Sequence, residues 1–317
     1  MDYKILGKSG LSVSRLAFGS LTVGPLQANL SVDKGAEIIA YAFDKGINFI
    51  DTAQYYENYE YIKKAISLAK NKDIVLSTKS YAYSREKAAE AVEQARQKTG
   101  KDVIDIFMLH ETENALTIRG HMEALEYYAE CRAKGIIKAL GVSTHHVAGV
   151  EGAVNAGIFD VIHPIFNVKG IGIADGSIEQ MEAAVKKAAN QNIGIFTMKS
   201  LAGGNLHSSA ESAFNFVLSK DYVHSVAVGM QSFEEVDANI AFFEGKGFTE
   251  KEKNALLSKN RTLCIESWCE GCGKCVKRCQ QKALSLDEHS HAKVDKTKCV
   301  LCGYCSGVCP VFAIKVF

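Results

Sequence analysis

The 317-residue sequence predicts an α/β fold, a closed (β/α)8 barrel followed by a small cysteine-rich domain. Eight short, nearly continuously apolar segments recur along the chain, and longer amphipathic segments separate them, which is the order of strands and helices in such a barrel. Eight of the ten cysteines then fall between Cys269 and Cys309. An open doubly wound sheet is the alternative, and it is disfavoured because no candidate strand is followed by a GxGxxG turn.

The candidate strands are short, rich in β-branched residues and apolar on both faces, as is typical of parallel strands covered on each side. Several of the helical segments between them end on glycine, which tolerates the left-handed conformation that closes a helix. These glycines are Gly46, Gly100 and Gly135. The eight candidate strands occupy residues 16–20, 47–51, 74–79, 103–110, 138–143, 161–166, 193–199 and 223–229.

Three segments follow from this pattern. The predicted barrel occupies residues 1–247, a connecting helix 248–263 and the cysteine-rich domain 264–317. Thr249 and Glu252 have the spacing of a capping box at the start of the connecting helix.

Composition and charge exclude several classes of protein. A formal net charge of +1 argues against a nucleic-acid-binding protein, which normally carries a basic face. No segment approaches the ~20 apolar residues that cross a bilayer, and the first residues lack an apolar signal core. We therefore expect a cytoplasmic protein that binds neither nucleic acid nor membrane.

Polar residues end four of the apolar strands, and the carboxyl ends of barrel strands meet on one face. These residues are Asp51, Lys79, His110 and Ser143, and Tyr56 lies in the loop after Asp51. A buried ammonium group lowers the pKa of a neighbouring phenol, a carboxylate balances that ammonium, and an imidazole can orient a carbonyl oxygen. The set predicts a site that polarises a carbonyl and protonates the developing alkoxide. The alternative is a buried Asp51–Lys79 ion pair beside a core histidine.

The order and spacing of several segments resemble those of the aldo-keto reductase family. They are GINFIDTAQYYENYE, LSTK, VIDIFMLH, GIIKALGVS and AVGMQSFEEVDANI, within residues 3–245. The resemblance implies a TIM barrel and an oxidoreductase acting on a small-molecule carbonyl or alcohol. It also implies that Tyr56 is the general acid, that Lys79 and Asp51 tune it, and that His110 orients the carbonyl.

The same resemblance implies an NAD(P)H pocket, and here the sequence departs from the family's pattern. Glu57 follows the catalytic tyrosine where glycine is usual, and Met198 stands where an aromatic ring usually stacks on the nicotinamide. Glu235 would repel a 2′-phosphate, so a preference for NADPH does not carry over. The positions that match the remaining cofactor contacts are Ser143, Thr144 and His163 at the carboxamide, and Gly229 and Asn239 nearer the phosphates.

Lys199, next to Met198, has two interpretations. It is either a group that meets an anionic substrate or cofactor, or a solvated surface lysine.

The C-terminal domain carries the pattern C-x2-C-x2-C-x3-C twice, which is typical of ferredoxin-like proteins with two [4Fe-4S] clusters. In that pattern the fourth cysteine of each motif binds the other motif's cluster. The first predicted cluster is bound by Cys269, Cys272, Cys275 and Cys309, and the second by Cys299, Cys302, Cys305 and Cys279. Zinc is the competing metal, but duplicated motifs in register favour iron–sulfur clusters. Trp268 and Cys264, just before the first ligand, are expected at the domain junction.

The two halves can be joined in three ways, because clusters pass single electrons whereas a nicotinamide transfers a hydride. In the first, the barrel uses NAD(P)H, and the tail is structural or binds a redox protein partner. In the second, a flavin converts between one- and two-electron steps. In the third, the clusters supply electrons to the substrate directly. A further hypothesis is a non-catalytic, or flavin-assisted, electron carrier that uses the barrel as a docking scaffold.

Overall fold

The computed structural model describes residues 1–258, 262–279, 281–299 and 303–316. Eight parallel strands close into a barrel, in which the last strand pairs with the first. A short hairpin of β1 (Tyr3–Ile5) and β2 (Ser12–Ser14) precedes them. The barrel strands are β3 (Leu16–Gly19), β4 (Phe49–Asp51), β5 (Val75–Ser80), β6 (Ile104–Leu109), β7 (Ile137–Thr144), β8 (Val161–Pro164), β9 (Gly194–Thr197) and β10 (Ser225–Val228).

All eight predicted strands are present within a few residues of their expected bounds, so the closed-barrel prediction is confirmed. Gly46, Gly100 and Gly135 all have positive φ angles after helices, as predicted. The helices that cover the barrel are α1 (Val32–Asp44), α2 (Tyr59–Leu68), α3 (Arg85–Thr99), α4 (Ala115–Gly120), α5 (Met122–Ala133), α6 (Val147–Ala156), α7 (Ile178–Asn190), α8 (Ala210–Leu218) and α9 (Phe233–Phe243).

The N-terminal hairpin closes the barrel end opposite the predicted site. Leu6 is fully buried within the inner core of the barrel, together with Phe49 and Phe196. The backbone of Gly7 approaches that of Gly194, the first residue of β9, so closely that a Cβ on either glycine would overlap its neighbour. The hairpin therefore seals this end and leaves the carboxyl ends of the strands as the open rim.

The connecting helix, α10 (Glu250–Ser258), begins with the predicted capping box. The Thr249 hydroxyl accepts the Glu252 N–H at 3.2 Å, and the Glu252 carboxylate accepts the Thr249 N–H at 2.7 Å. The predicted end of this helix, residues 259–261, lies outside the described residues.

The cysteine-rich domain consists of two antiparallel ribbons and one short helix. Each ribbon has two strands, and the short helix α11 (Lys274–Arg278) lies within the first cysteine motif. The strands are β11 (Leu263–Ile265) paired with β14 (Ile314–Val316), and β12 (Leu284–Leu286) paired with β13 (Ala292–Val294).

This domain packs on the open rim of the barrel. Phe312, only 2% exposed, lies so close to Gly172 of the loop after β8 that a Cβ at that position would overlap its ring. The Ser306 hydroxyl donates a hydrogen bond to the Asn205 side chain at 2.8 Å. The Trp268 ring meets the Tyr55 ring edge-on with centroids 5.8 Å apart, which confirms the expected place of this tryptophan at the junction. Within the described residues, no helix has the length and apolar character needed to span a bilayer.

Removing the Leu6 side chain tests the closure of the barrel end. We expect Leu6→Ala to lower the free energy of unfolding by about 2–5 kcal/mol, because it opens a cavity in a fully buried core. Leu68→Ala, at a half-exposed position of α2, should change it by less than about 0.5 kcal/mol. Urea denaturation followed by far-ultraviolet circular dichroism measures both; equal effects would mean that Leu6 does not seal the barrel.

Candidate active site

Three neighbouring strands deliver the predicted catalytic residues to the rim. Asp51 is the last residue of β4, Lys79 the penultimate residue of β5, and His110 directly follows β6. Parallel register places the Asp51 position beside Ser77 of β5. Because successive strands of the barrel are adjacent, residues far apart in sequence converge without any long loop.

Asp51 and Lys79 form a buried ion pair, with side chains 7% and 1% exposed. The Lys79 ammonium donates to both Asp51 carboxylate oxygens at 2.8 Å and to the Thr52 carbonyl oxygen at 2.7 Å. These three contacts use all three N–H groups of the ammonium. Burial alone would raise the pKa of Asp51, but attraction to Lys79 and then to His163 outweighs it and holds that pKa well below its ordinary value.

Tyr56 lies beside this pair, although without the pKa effect that the sequence predicted. The Lys79 Nζ atom is 5.1 Å from the centroid of the Tyr56 ring. Burial, and then the carboxylates of Asp51 and Glu111, raise the pKa of Tyr56 well above its ordinary value. The expected lowering is therefore wrong, because burial and the two nearby carboxylates all disfavour the phenolate. Tyr56 is a protonated phenol at neutral pH.

His110 completes the group. Its ring lies 5.7 Å from the Tyr56 ring and stacks on Tyr81 at 4.4 Å. Burial and the nearby Lys79 charge lower the pKa of His110 well below its ordinary value, so the imidazole is neutral. Its Nδ1 atom is buried and has no hydrogen-bond partner among the described residues. A neutral imidazole with unused hydrogen-bonding capacity can still bind a polar group of a ligand.

The three residues predicted to hold a nicotinamide carboxamide bond inside the protein instead. Ser143 and Thr144 are fully buried and His163 is 2% exposed. The Ser143 hydroxyl accepts the Glu111 N–H at 3.0 Å, and the Thr144 hydroxyl donates to the Thr112 carbonyl oxygen at 2.5 Å. His163 has Nδ1 2.7 Å from the Phe196 carbonyl oxygen and Nε2 3.6 Å from Asp51. These side chains do not fit a carboxamide-binding role, and His163 acts as a second partner of Asp51.

The positions matched to the rest of the dinucleotide show the same pattern. The Asn239 amide donates to the Glu235 carbonyl oxygen at 2.7 Å, and the Glu235 carboxylate accepts the Gln231 N–H at 2.8 Å. Gly229 lies against Thr22, with no room for a Cβ. Met198 is half-buried at the end of β9. A carboxylate at the predicted phosphate loop opposes a 2′-phosphate, so these residues fit a phosphorylated dinucleotide poorly.

Lys199 is covered by the cysteine-rich domain, so its interpretation as a solvated lysine is wrong. Its Nζ atom lies 2.9 Å from the His145 Nε2 atom and 3.9 Å from the centroid of the Phe312 ring. Burial, and then repulsion by Lys315, lower the pKa of Lys199 to about 7. Lys199 and Phe312 both have left-handed backbones, as do Glu57 and Glu111 elsewhere at the rim, with φ between 50° and 57°. Such strained positions concentrate at functional sites.

The first predicted cluster site is a pocket in the cysteine-rich domain. Cys269, Cys272, Cys275 and Cys309 all line it, and its other walls include the apolar side chains of Leu286, Ala292, Val311 and Ile314. Backbone N–H groups point at two of these sulfurs, from Ala292 to Cys269 at 3.4 Å and from Ala313 to Cys309 at 3.2 Å. Such donors stabilise thiolates and tune cluster potentials. The four residues therefore fit a [4Fe-4S] cluster.

The second predicted site is described in part. Cys302 lies outside the described residues, and Cys305 is buried within the core of the domain. The Ala283 N–H donates to the Cys279 sulfur at 3.3 Å, which repeats the bond from Ala313 to Cys309. In the described part of the chain, no three His, Cys, Asp or Glu side chains converge to hold a single metal ion. A cubane differs from a single ion, because each of its four irons takes its own thiolate.

The fold and the side chains at the rim are those of a barrel enzyme, because such enzymes carry their reactive side chains at the carboxyl ends of the strands. The model of the aldo/keto reductase family matches residues 15–210, which is more than half of the chain. The chain therefore belongs to the aldo/keto reductase family and is an oxidoreductase. A 4Fe-4S dicluster domain matches residues 268–313.

Curated relatives are distant. The chain is 32% identical over 142 residues to a probable voltage-gated potassium channel subunit beta of Arabidopsis thaliana, covering 40% of this chain and 42% of that protein. It is 21% identical over 288 residues to an L-galactose dehydrogenase of Arabidopsis thaliana, covering 76% and 88%. It is 23% identical over 307 residues to the uncharacterized oxidoreductase YqkF of Bacillus subtilis, covering 82% and 97%.

Solved structures show the same fold. The holo form of the aldo-keto reductase AKR11C1 from Bacillus halodurans has a TM-score of 0.67 at 22% identity, covering 81% of this chain and 95% of that one. A putative aldo-keto reductase from Pseudomonas aeruginosa has a TM-score of 0.65 at 24% identity, covering 77% and 94%.

Breaking the ion pair from one side tests how strongly it holds the site. We expect Lys79→Met to lower the free energy of unfolding by about 3–5 kcal/mol, because it leaves the Asp51 carboxylate buried and uncompensated. Adding Asp51→Asn to that variant should restore part of the loss. Asp51 has a lowered pKa in the folded state, so its contribution is present above the unfolded pKa of about 3.9 and is lost as pH falls. Urea titrations at pH 7 compare the single and double variants, and titrations of the parent protein from about pH 4 downward follow the loss of the Asp51 contribution. A double variant no more stable than Lys79→Met would contradict the pairing.

Proposed function

We propose that this chain interconverts a small-molecule carbonyl and its alcohol, with Tyr56 as the acid–base group. Lys79 and Asp51 form the charge pair that supports Tyr56, and His110 orients the carbonyl oxygen. The observation that carries the proposal is the convergence of these four side chains at the open rim, with Tyr56 5.1 Å from Lys79 and 5.7 Å from His110. The reaction class also agrees with the name of one relative, the L-galactose dehydrogenase.

Protonation states at neutral pH support this assignment in the reducing direction. The raised pKa of Tyr56 keeps its hydroxyl protonated, so it can donate to an oxygen that gains negative charge. The lowered pKa of His110 leaves it neutral, so it donates one N–H and adds no charge. After proton transfer, the Tyr56 phenolate lies beside the Lys79 ammonium, whose Nζ atom is 5.1 Å from the ring centroid. In the oxidising direction the same phenolate accepts the alcohol proton.

The C-terminal domain holds two [4Fe-4S] clusters in this proposal, with the ligand sets that the sequence predicts. Cys269, Cys272, Cys275 and Cys309 bind the first. Cys279, Cys299, Cys302 and Cys305 bind the second, and such clusters supply one-electron transfer when bound.

NAD(P)H stays a prediction of the family resemblance. Flavin stays a prediction from the need to convert between one- and two-electron transfer. The proposed proton transfers do not involve a nicotinamide, because the side chains at the positions matched to its carboxamide form hydrogen bonds within the protein. That observation also favours a second candidate, an electron carrier whose barrel serves as a docking scaffold. The candidates differ in one respect: the carrier needs no acid–base group at the rim.

Removing the Tyr56 hydroxyl distinguishes an enzyme from a carrier. We expect Tyr56→Phe to lower carbonyl turnover by about 10²–10⁴-fold, the usual contribution of general acid–base catalysis. Aldehydes and ketones are offered with NADH, NADPH or reduced methyl viologen as the electron source.

Tyr83→Phe is the matched control, because the Tyr83 ring is 54% exposed and lies beneath the Lys87 ammonium. Both variants should keep the iron content of the parent protein. Turnover by Tyr56→Phe at the parent's rate would refute the acid–base assignment.

Iron analysis tests the ligand sets. We expect about eight irons per chain in the parent protein, from two cubanes, and about four in Cys309→Ala, because the first site loses one thiolate. Cys264→Ala, outside both motifs, should keep the full content. Electron paramagnetic resonance of the reduced proteins identifies the cluster that is lost, and full iron in Cys309→Ala would contradict its role.

A further inference from the structure

A continuous series of aromatic rings joins the first cluster site to the catalytic group. Trp268 directly precedes the ligand Cys269 in sequence, and its ring centroid is 5.8 Å from that of Tyr55. Tyr55 is 6.2 Å from Tyr81, which stacks on His110 at 4.4 Å. We call Trp268, Tyr55 and Tyr81 the ring series. It starts beside a predicted cluster ligand and ends on a predicted catalytic residue.

Polar contacts hold the ends of the ring series in place. The Trp268 Nε1–H donates to the Val311 carbonyl oxygen at 3.1 Å, and the Lys315 ammonium lies 4.9 Å from the Trp268 ring centroid. The Tyr81 hydroxyl donates to the Glu111 carboxylate at 2.7 Å. Tyr55 immediately precedes the acid–base residue Tyr56 in the chain.

NAD(P)H, the cofactor that the family resemblance implies, fits the side chains at this rim poorly. The groups matched to a carboxamide are buried and bonded within the protein. The cysteine-rich domain occupies space at the same rim, where Phe312 covers Lys199 and contacts His145 at 5.7 Å. Electron transfer between two redox groups slows steeply as the gap widens, so a domain packed against the rim is well placed to supply electrons.

We propose that the ring series is the bridge for electrons between the cluster of Cys269, Cys272, Cys275 and Cys309 and a carbonyl held at Tyr56 and His110. Reduced clusters, and not NAD(P)H, then supply the barrel site. The inference rests on the proposed function and adds the source of its electrons. The rings shorten the gap by close contact and are not themselves reduced.

The reaction balances with two clusters. The cysteines of the two motifs would hold clusters that each supply one electron when reduced, so the two electrons that a carbonyl needs to break its C=O π bond would be available. One proton passes from the Tyr56 hydroxyl to oxygen, forming the O–H bond, and one passes from water to carbon, forming the C–H bond. Water reprotonates Tyr56. A low-potential one-electron carrier protein reduces the clusters again, and reduced methyl viologen replaces it in the laboratory.

Single-turnover reoxidation of the full-length protein tests the bridge. Protein with both clusters is reduced photochemically without oxygen, mixed with an aryl aldehyde or ketone, and followed by the visible absorbance of the clusters. We expect the carbonyl to reoxidise the clusters, with one alcohol formed per two electrons lost. Tyr55→Leu and Tyr81→Leu should slow reoxidation several-fold, whereas Tyr83→Leu should leave it unchanged. Reduction potentials of the clusters, measured by redox titration, should be the same in all four proteins.

The outcomes separate this inference from the proposed function. Clusters that stay reduced with every carbonyl, while NAD(P)H drives turnover that needs Tyr56, would overturn the inference and keep the proposed function. Reoxidation that ignores Tyr56→Phe would overturn the acid–base role and keep cluster supply. Equal rates in Tyr55→Leu, Tyr81→Leu and Tyr83→Leu would overturn the bridge. Loss of rate together with a shifted potential would also overturn it, because driving force would then explain the change.

Discussion

The buried ion pair of Asp51 and Lys79 is the interaction on which the rim depends. A lysine side chain that is 1% exposed keeps its charge only because a carboxylate and a carbonyl oxygen take all three of its N–H groups. The pair also fixes the charge seen by its neighbours. Burial and the Asp51 carboxylate keep Tyr56 protonated, and burial and the Lys79 charge keep His110 neutral. In these protonation states both side chains can donate a hydrogen bond to a carbonyl oxygen.

The sequence predicted the barrel well because its evidence is local and repeated. Apolar strands and amphipathic helices alternate eight times, several of the helices end at a glycine, and closure of the barrel brings the residues after all the strands to one rim. Asp51, Lys79 and His110 could therefore be brought together from their positions at strand ends alone. The cysteine motifs are as explicit: their spacing predicted a two-cluster iron–sulfur domain, and a 4Fe-4S dicluster domain matches residues 268–313.

The electrostatics could not be predicted in the same way. The pKa of Tyr56 depends on how deeply its side chain is buried and on which carboxylates lie near it, and both follow from side-chain packing that no sequence pattern specifies. His163 shows the same limit. Its sequence position matched a cofactor contact, but its ring is bonded between Phe196 and Asp51. Nor does any pattern announce the contact of Tyr55 with Trp268, because it joins residues more than two hundred positions apart.

The placement of the C-terminal domain connects these two chemistries. Three lysines surround the rim: Asp51 neutralises Lys79, and Glu266 neutralises Lys315 at 2.7 Å. Lys199 instead contacts His145 and the face of Phe312, three residues beyond Cys309. In the proposed reaction, an electron on the first cluster would add negative charge near Lys199, and a carbonyl gaining electrons would add negative charge near the Asp51–Lys79 pair. The low dielectric of a covered rim would strengthen the interaction of each added charge with the lysine beside it. The C-terminal domain contacts the rim through the Trp268 and Phe312 rings, so the proposed proton donor and the proposed path for electrons meet at one interface.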